Sequence, residues 1–172
     1  MAQRAKVACI LSQDFEDSEF RVPYDRMRSA GYEVDVIGTR AGEELAGKKG
    51  KERVKADKGI AEVKPDDYQA LFIPGGYSPD HLRADKRFVD FVKAFDQQHK
   101  TVAAVCHGPQ LLMTAGLVKG RTLTAWTTIQ DDLKQVGAKV KDEPVVVDDN
   151  WITSRKPDDL TQFSDAILQR LG

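Results

Sequence analysis

Cys106 is the residue of this sequence whose type and surroundings most directly suggest chemistry. The apolar, β-type segment 101–105 ends at this cysteine. The residues that follow favour the start of a helix: His107, Gly108 and Pro109. This order predicts a nucleophile elbow, a strained strand-to-helix turn that lifts one side chain out of a sheet edge. The helix N-terminus would favour the thiolate, and His107 could accept the thiol proton. The alternative is a cysteine that only packs in the core, where free cysteines are often found.

Further groups with possible chemistry follow the ends of two other predicted strands. Glu16 follows the first strand, and the pair Gly75 and Gly76 follows the third. Because ligands bind outside the carboxyl ends of parallel strands, we expect these groups near Cys106. The glycine pair could bring backbone N–H groups to a developing oxyanion, although an ordinary tight turn has the same sequence. The Glu16 carboxyl could hydrogen-bond the Cys106 sulfur. Alternatively, it could only interact favourably with the positive N-terminal end of a helix dipole.

Strand-like and helix-like segments alternate along the chain. This order predicts an α/β fold in which helices cover both faces of a mostly parallel sheet. The segments 7–11, 71–73 and 102–105 are continuous apolar runs, so we expect them to be buried neighbours at the sheet centre. A closing hairpin is predicted over 145–153. We see neither an internal repeat nor a linker, and we expect one domain over residues 1–172.

The stretch 40–58 is irregular and rich in lysine and glycine. A basic, glycine-rich patch could contact the phosphates of a nucleic acid. Four acidic residues offset its charge, however, and no aromatic residue is interleaved for base stacking. We therefore expect a solvated excursion that ends in a short hairpin, and no nucleic-acid partner.

The composition of the chain argues against several classes of protein. Its 172 residues include 26 lysines and arginines and 27 acidic residues, which gives a net charge of −1. No overall field therefore attracts it to nucleic acid or to an anionic membrane. The first apolar run has only five residues, so we expect neither a signal peptide nor a membrane span. Two cysteines, Cys9 and Cys106, suit a reducing compartment and make neither a disulfide framework nor a zinc site. We expect a cytoplasmic protein without a metal or cofactor.

Four motifs together resemble the DJ-1/PfpI superfamily, in particular its PfpI-like branch of deglycase-type and intracellular cysteine peptidase-like members. They lie at 15–17, 74–76, 104–110 and 145–155, almost from end to end of the chain. A Pro-Gly-Gly turn upstream of a Cys-His-Gly-Pro-Gln run is the most specific part. The resemblance implies a flavodoxin-like three-layer sandwich of the class I glutamine amidotransferase-like type. It also implies a homodimer or a higher homo-oligomer.

The resemblance implies roles for individual residues as well. Cys106 would be the nucleophile or redox site, with the carboxyl of Glu16 hydrogen-bonded to it. His107 would be the general base in peptidase-like members, paired with an acid from a neighbouring subunit. The position that matches this acid is Asp80, where peptidase-like members have glutamate. Aspartate is one methylene shorter than glutamate, so it is less able to orient His107 across an interface.

Three functions from different classes would use this activated thiol. The first is a stress-protective hydrolase of the glyoxalase III or deglycase type, in which the Cys106 thiolate attacks methylglyoxal, glyoxal or their adducts. The second is a non-catalytic oxidative-stress sensor, in which Cys106 is oxidised to sulfenic or sulfinic acid. The third is a peptidase with Gly75 and Gly76 as its oxyanion hole. We favour the hydrolase hypothesis and place the sensor second, because an aspartate at position 80 argues against the peptidase hypothesis.

The elbow and the resemblance also predict three structural features. Cys106 should have backbone dihedrals in a sparsely populated region. The protein should be at least a dimer, with contacts around Tyr24, Arg28 and the loop 77–81. The Glu16 carboxyl should keep its proton and donate a hydrogen bond to the Cys106 thiolate, because an ionised carboxylate would raise the pKa of the thiol.

Overall fold

The computed structural model describes residues 5–172, in which a seven-stranded sheet is covered by helices on both faces. Residues 1–4 lie outside the described residues. The expectation that the chain has no signal peptide falls partly on them. The strands in chain order are β1 (Lys6–Ile10), β2 (Glu33–Gly38), β3 (Glu44–Ala46), β4 (Arg53–Lys55), β5 (Lys58–Gly59), β6 (Ala70–Ile73), β7 (Thr101–Val105), β8 (Thr122–Leu123), β9 (Lys139–Val140), β10 (Val145–Asp148) and β11 (Trp151–Ser154). The helices are α1 (Asp17–Ser29), α2 (Ser78–Leu82), α3 (Lys86–Gln97), α4 (Pro109–Thr114), α5 (Thr127–Gln135) and α6 (Leu160–Leu171).

The large sheet is parallel except at one edge. Its strand order is β10-β11-β7-β6-β1-β2-β5, and only the pair β10 and β11 is antiparallel. This pair is the closing hairpin that the sequence predicts. Two smaller elements lie outside this sheet, namely the antiparallel hairpin β3–β4 and the parallel pair β8 and β9. The predicted mostly parallel, flavodoxin-like α/β sandwich is confirmed.

The three apolar strands β1, β6 and β7 form the centre of the sheet, as their sequences predict. Ala8 pairs with Leu71, and Leu71 pairs with Val102. Successive side chains point to opposite faces, so Leu71 packs in one core layer and Phe72 in the other. Helices α3, α4 and α5 contribute to the first layer, and α1 and α6 contribute to the second. Burial on both faces explains why these strands are apolar throughout rather than alternating.

The carboxyl ends of the three central strands meet at one edge of the sheet because the strands are parallel neighbours. β1 continues into the loop before α1, β6 continues into the glycine turn before α2, and β7 runs directly into Cys106. A bridge between Phe15 and Gly76 joins the first two of these loops. The groups that follow the three strands therefore lie along the same edge.

The stretch 40–58 forms the expected hairpin, β3–β4, but its tip is not a free, solvated loop. The buried Asp17 carboxylate accepts hydrogen bonds of 2.9 Å from three backbone N–H groups of the tip. The Lys48 N–H donates to the backbone oxygen of Phe15 at 2.8 Å. These bonds dock residues 47–52, which we call the lysine tip, on the loop and helix that follow β1.

The helices are short in comparison with a lipid bilayer. α1 has 13 residues, whereas a transmembrane helix needs about 20 apolar residues. Within residues 5–172, no helix has the length and apolar character needed to cross a membrane.

Candidate active site

Cys106 lies at a sharp turn between β7 and α4. Its φ of +63° is in the left-handed region, where a non-glycine residue stores about 1–3 kcal/mol of strain. Two hydrogen bonds of 2.9 Å hold the turn, since Cys106 N–H donates to Ser154 O and Trp126 N–H donates to Cys106 O. Gly108 is needed for space, because a Cβ there would lie 2.7 Å from the backbone oxygen of Ile73. The predicted strain at Cys106 is confirmed.

The carboxyl that lies against Cys106 belongs to Glu19, in the first turn of α1. Glu19 is fully buried, and its Oε1 accepts a hydrogen bond of 3.1 Å from Gly75 N–H. Its buried Oε2 has no hydrogen-bond partner among residues 5–172, and the carboxyl lies close enough to the thiol of Cys106 for each group to shift the pKa of the other. Burial, reinforced by the charge of Glu16, raises the pKa of Glu19 to about 8. The Glu19 carboxyl therefore keeps its proton at neutral pH.

The protonation of Glu19 decides its effect on the cysteine. Burial raises the pKa of the Cys106 thiol, and the charge of an ionised Glu19 raises this pKa further. A protonated Glu19 acts in the opposite direction, because its O–H can donate a hydrogen bond to the thiolate. The charge of Lys48 also favours the thiolate. At neutral pH the site is thus a thiol beside a neutral carboxyl, and a base is needed to form the thiolate.

His107 is placed to be that base. Its Nδ1 lies 3.3 Å from the sulfur of Cys106. Burial, and then the positive charge of Lys48, lower the pKa of the imidazole, so the ring is neutral at neutral pH. The ring stacks on Trp126 with 6.3 Å between the centroids. A neutral, oriented imidazole at this distance can accept the thiol proton.

Asp80, on α2, does not complete a triad within this chain. Its exposed carboxylate pairs with Arg83 Nε at 3.0 Å. In the part of the chain that the structure describes, no hydrogen bond joins it to His107, although its charge opposes the lowering of the His107 pKa. The contribution of Asp80 across a subunit interface stays a prediction, as does a dimer with contacts around Tyr24 and Arg28.

The structure corrects the predicted contact between Glu16 and Cys106, because Glu19 makes this contact. Glu16 precedes α1, and its buried carboxylate faces the lysine tip. Its Oε2 lies 2.9 Å from Lys48 Nζ, and its Oε1 lies 3.0 Å from Lys49 Nζ. Helical side chains point back toward the helix N-terminus, so a carboxyl one turn into α1 reaches the edge of the sheet. The carboxyl that is placed to donate a proton to the sulfur is therefore that of Glu19 rather than that of Glu16.

Lys48 is a residue of the site that the sequence reasoning missed. The cleft, about 220 Å³ in volume, is lined by Glu16, Glu19, Lys48, Cys106, His107, Trp126 and Pro157. Burial opposes the charge of Lys48, but the hydrogen bond with Glu16 and the neighbouring acidic groups outweigh burial and raise its pKa. Several lysines in this stretch look alike in the sequence, and only the docking of the lysine tip selects this one.

The glycine pair after β6 lets the strand ends approach one another. A Cβ on Gly75 would lie 2.3 Å from Glu19 Oε1 and 2.9 Å from the Cβ of Cys106. Gly76 has a φ of +79°, and a Cβ there would lie 2.3 Å from the backbone nitrogen of Glu16. The predicted oxyanion role is corrected for Gly75, whose N–H already donates to Glu19. The N–H of Gly76 has no acceptor among residues 5–172 and stays a candidate donor.

Known proteins resemble this chain over nearly its whole length. The profile of the DJ-1/PfpI family matches residues 5–170. The chain is 49% identical over 168 residues to protein/nucleic acid deglycase 2 of Escherichia coli strain K12. This alignment covers 97% of this chain and 98% of the relative.

Solved structures agree with these sequence matches. A two-domain protein of Anabaena variabilis with DJ-1/ThiJ/PfpI-like and ferritin-like domains has a TM-score of 0.96 and 43% identity. The match covers 98% of this chain and 48% of that protein, so this chain spans about half its length. Drosophila melanogaster DJ-1beta has a TM-score of 0.91 and 27% identity, with 98% and 90% of the two chains covered. The chain belongs to the DJ-1/PfpI family.

Proposed function

We propose that this protein is a cysteine-dependent hydrolase of the glyoxalase III or deglycase type. Its substrates would be small reactive carbonyls, such as methylglyoxal and glyoxal, or their adducts. The observation that carries the proposal is the strained Cys106, whose sulfur lies between the protonated carboxyl of Glu19 and the neutral imidazole of His107. Strained backbone and perturbed pKa values concentrate at active sites. The name of the relative from E. coli, a deglycase, supports the same class.

In the proposed reaction His107 Nδ1 takes the proton of Cys106, and Glu19 stabilises the thiolate through its O–H. The thiolate adds to the aldehyde carbon of methylglyoxal, and the carbonyl oxygen takes up a proton to give a hemithioacetal. Transfer of the C1 proton to C2, with the proton of the C1 hydroxyl passing to the C2 oxygen, converts this adduct to a thioester. One water then releases lactate and restores the thiol. The N–H of Gly76 and the ammonium of Lys48 are the candidates to meet the developing alkoxide.

An adduct would enter the same sequence through one different step. The thiolate would displace the amine from the carbon that carries the hydroxyl group, and protonated His107 would return a proton to the leaving nitrogen. A carbon–nitrogen bond breaks, a carbon–sulfur bond forms, and the product is the same hemithioacetal. Lysis of the adduct and conversion of the free dicarbonyl therefore share one intermediate.

The size of the cleft supports a small substrate. Its volume of about 220 Å³ lies below the roughly 300–1,000 Å³ of pockets for drug-sized ligands. A larger groove of about 490 Å³, between β10 and α6, has neither cysteine nor histidine among its described lining residues. The peptidase hypothesis ranks below the hydrolase hypothesis for two reasons. The cleft is small, and Asp80 makes no hydrogen bond with His107 among the described residues.

A non-catalytic role in oxidative stress is the second candidate. The sulfur of Cys106 borders the cleft, beside the protonated Glu19 and the charged Lys48. These two groups would stabilise an anionic sulfenate or sulfinate after reaction with a peroxide. The same geometry thus supports a thiol that is oxidised without turnover of a carbonyl.

A substrate panel tests the proposal. Purified protein and Cys106→Ala would be compared on methylglyoxal, on a glycated peptide and on an unmodified fluorogenic peptide. We expect turnover of the first two substrates and loss of this activity in Cys106→Ala. Turnover of only the unmodified peptide would instead indicate a peptidase. No turnover, together with peroxide-dependent formation of sulfinic acid at Cys106 by mass spectrometry, would indicate the sensor.

A further inference from the structure

The lysine tip places the ammonium group of one lysine in the cleft beside the reactive sulfur. Lys48 and Lys49 share one carboxylate, that of Glu16, at 2.9 and 3.0 Å. The Glu16 side chain is only 6% exposed, whereas those of Lys48 and Lys49 are 35% and 54% exposed. One buried negative charge therefore lies behind two more exposed positive charges. Of the two lysines, Lys48 lines the cleft together with Cys106.

The other acidic groups near the cleft do not oppose this ammonium group. The buried Asp17 carboxylate faces the backbone N–H groups of the lysine tip and does not line the cleft. Glu19 is protonated at neutral pH, since burial raises its pKa to about 8. Asp80 pairs with Arg83 at 3.0 Å. Asp14 lies 3.8 Å from His81 and is largely exposed to solvent. A negative group that enters the cleft would therefore meet the ammonium of Lys48. The carboxylate of Glu16 also lines the cleft, but its side chain is only 6% exposed, whereas that of Lys48 is 35% exposed.

Lys48 is also held in place before any ligand arrives. Its own N–H is bonded to Phe15, and the lysine tip around it is bonded to the Asp17 carboxylate. Gly47 allows this close approach, because a Cβ there would lie 2.2 Å from Asp17 Oδ2. The ammonium of Lys48 lies 5.8 Å from the centre of the Tyr77 ring. A group that is already ordered loses little entropy when it binds a ligand.

We propose that Lys48 recognises an anionic group, a carboxylate or a phosphate, on the carbonyl compound that Cys106 attacks. The inference rests on the proposed function and names the substrate class within it, namely small aldehydes that carry an oxyanion. The oxyanion would form a charge-assisted hydrogen bond with Lys48 Nζ. The thiolate would add to the aldehyde carbon, and the carbonyl oxygen would take up the proton. Glu16 would be a positioning residue, since it holds the ammonium at the cleft.

Two alkylating reagents of nearly equal size measure this preference without any turnover. Iodoacetate is anionic and iodoacetamide is neutral, and with both reagents the sulfur forms a bond to the CH₂ carbon as iodide leaves. The rates at Cys106 would be measured in the Cys9→Ala background, so that one thiol reacts. A change in the thiolate fraction alters both rates, so their ratio isolates the attraction of the anion.

The lysine variants give the expected result. We expect Lys48→Met to lower the ratio of iodoacetate to iodoacetamide rates on the order of tenfold, the size of one charge-assisted contact. Lys48→Arg should keep most of the ratio. Lys49→Met is the matched control, since Lys49 shares Glu16 but does not line the cleft, and it should change the ratio by less than about twofold. Added salt should lower the wild-type ratio and leave that of Lys48→Met nearly constant.

Protection experiments identify the oxyanion. Glyoxylate carries a carboxylate, glycolaldehyde phosphate carries a phosphate, and glycolaldehyde is neutral. We expect one or both anionic aldehydes to protect Cys106 from iodoacetamide at lower concentration than glycolaldehyde does, and Lys48→Met to remove this advantage. An unchanged alkylation ratio in Lys48→Met, or an equal fall in Lys49→Met, would overturn the inference. Failure of wild-type protein to turn over any dicarbonyl would contradict the proposed function alone, because the alkylation ratio needs no turnover.

Discussion

Cys9 and Cys106 lie in the same core layer of the protein, yet their surroundings differ. Both are free and buried. Cys9 lies within β1, and burial raises the pKa of its thiol well above the ordinary value. Cys106 lies one residue beyond β7 with a φ of +63°, beside Glu19 and His107.

The difference shows what burial does and what it cannot do. Burial raises the thiol pKa at both cysteines, so a buried cysteine is inert unless other groups reverse this effect. At Cys106 the elbow turns the sulfur toward a cleft, where a neutral imidazole can take its proton and a protonated carboxyl can stabilise the thiolate. Reactivity therefore comes from the neighbours that the turn brings together.

The largest contrast should come from glycine at the two cysteines. Cys106→Gly removes the proposed nucleophile and should lower turnover of methylglyoxal by roughly 10³-fold or more. It also relieves the strain of a positive φ, which offsets the cost of the lost buried side chain, so the free energy of unfolding should change by less than about 1 kcal/mol. Cys9→Gly should keep turnover and lower the free energy of unfolding by about 1–3 kcal/mol, because it leaves a cavity and weakens a strand. Steady-state kinetics and urea denaturation measure both quantities. Equal losses of stability at the two positions would contradict a strained elbow.

A second contrast separates the two carboxyls of the site. Glu19→Ala should lower kcat/KM by about 10²-fold, because a proton-bearing partner of the sulfur is lost. Glu16→Gln leaves Glu19 in place and should have a much smaller effect on a neutral substrate. Equal losses of kcat/KM in the two variants would contradict the distinction drawn between Glu19 and Glu16.

The raised pKa of Glu19 makes both activity and stability depend on pH. Activity that needs its proton should fall as pH rises through about 8. The unfolded chain loses this proton near the ordinary value of 4.5, whereas the native protein keeps it to about 8, so stability should decrease between these values as pH rises. Glu19→Gln should flatten both profiles, since an amide does not titrate. Kinetics and denaturation across this range provide the check, and identical profiles in wild type and variant would refute it.

Crowding at the glycine turn should have an intermediate effect. In Gly75→Ala the new Cβ would meet Glu19 and Cys106 at 2.3 and 2.9 Å. Because a displacement of about 1 Å in a site costs on the order of 10²-fold, we expect a loss of 10- to 100-fold in kcat/KM. Gly120→Ala is the control, since its φ is +78° but no atom lies within 4 Å of the new Cβ. It should cost about 1 kcal/mol of stability and leave kcat/KM unchanged. A loss of activity in Gly120→Ala would show that backbone strain alone explains the effect.

The smallest effect should come from Asp80. Its charge raises the pKa of His107 against burial and Lys48, so Asp80→Asn should lower this pKa further. With an exposed carboxylate and no hydrogen bond to His107 among the described residues, the loss in kcat/KM should stay within about fivefold. A loss of 10²-fold or more, together with a dimer by light scattering, would instead indicate an Asp80 that acts across an interface.

The sequence predicted the parts of this molecule that local patterns determine. Continuous apolar runs located the central strands, and an apolar strand followed by Cys-His-Gly-Pro located the elbow at Cys106. The predicted contact between Glu16 and the Cys106 sulfur was wrong by one helical turn. Both carboxyls are close to the start of α1, and only the packing of that helix decides that Glu19 points to the sulfur.

Lys48 could not be predicted for a different reason. It belongs to a charged hairpin whose composition is typical of a solvated loop. Its place in the cleft depends on hydrogen bonds between the lysine tip and Asp17, which join residues more than 30 positions apart. Such long-range contacts leave no periodicity or spacing in the sequence.

The most direct test is the pH titration of thiolate absorbance at Cys106 in the Cys9→Ala background. It would be repeated with Glu19→Ala, Glu19→Gln and the control Glu16→Gln. If a protonated Glu19 stabilises the thiolate, Glu19→Ala should raise the pKa of Cys106, whereas Glu19→Gln, which keeps a donor, should raise it less. Glu16→Gln should change it less than Glu19→Ala does. A lower pKa of Cys106 in Glu19→Ala would show that Glu19 acts as an ionised neighbour and would contradict its role as the proton-bearing partner of the nucleophile.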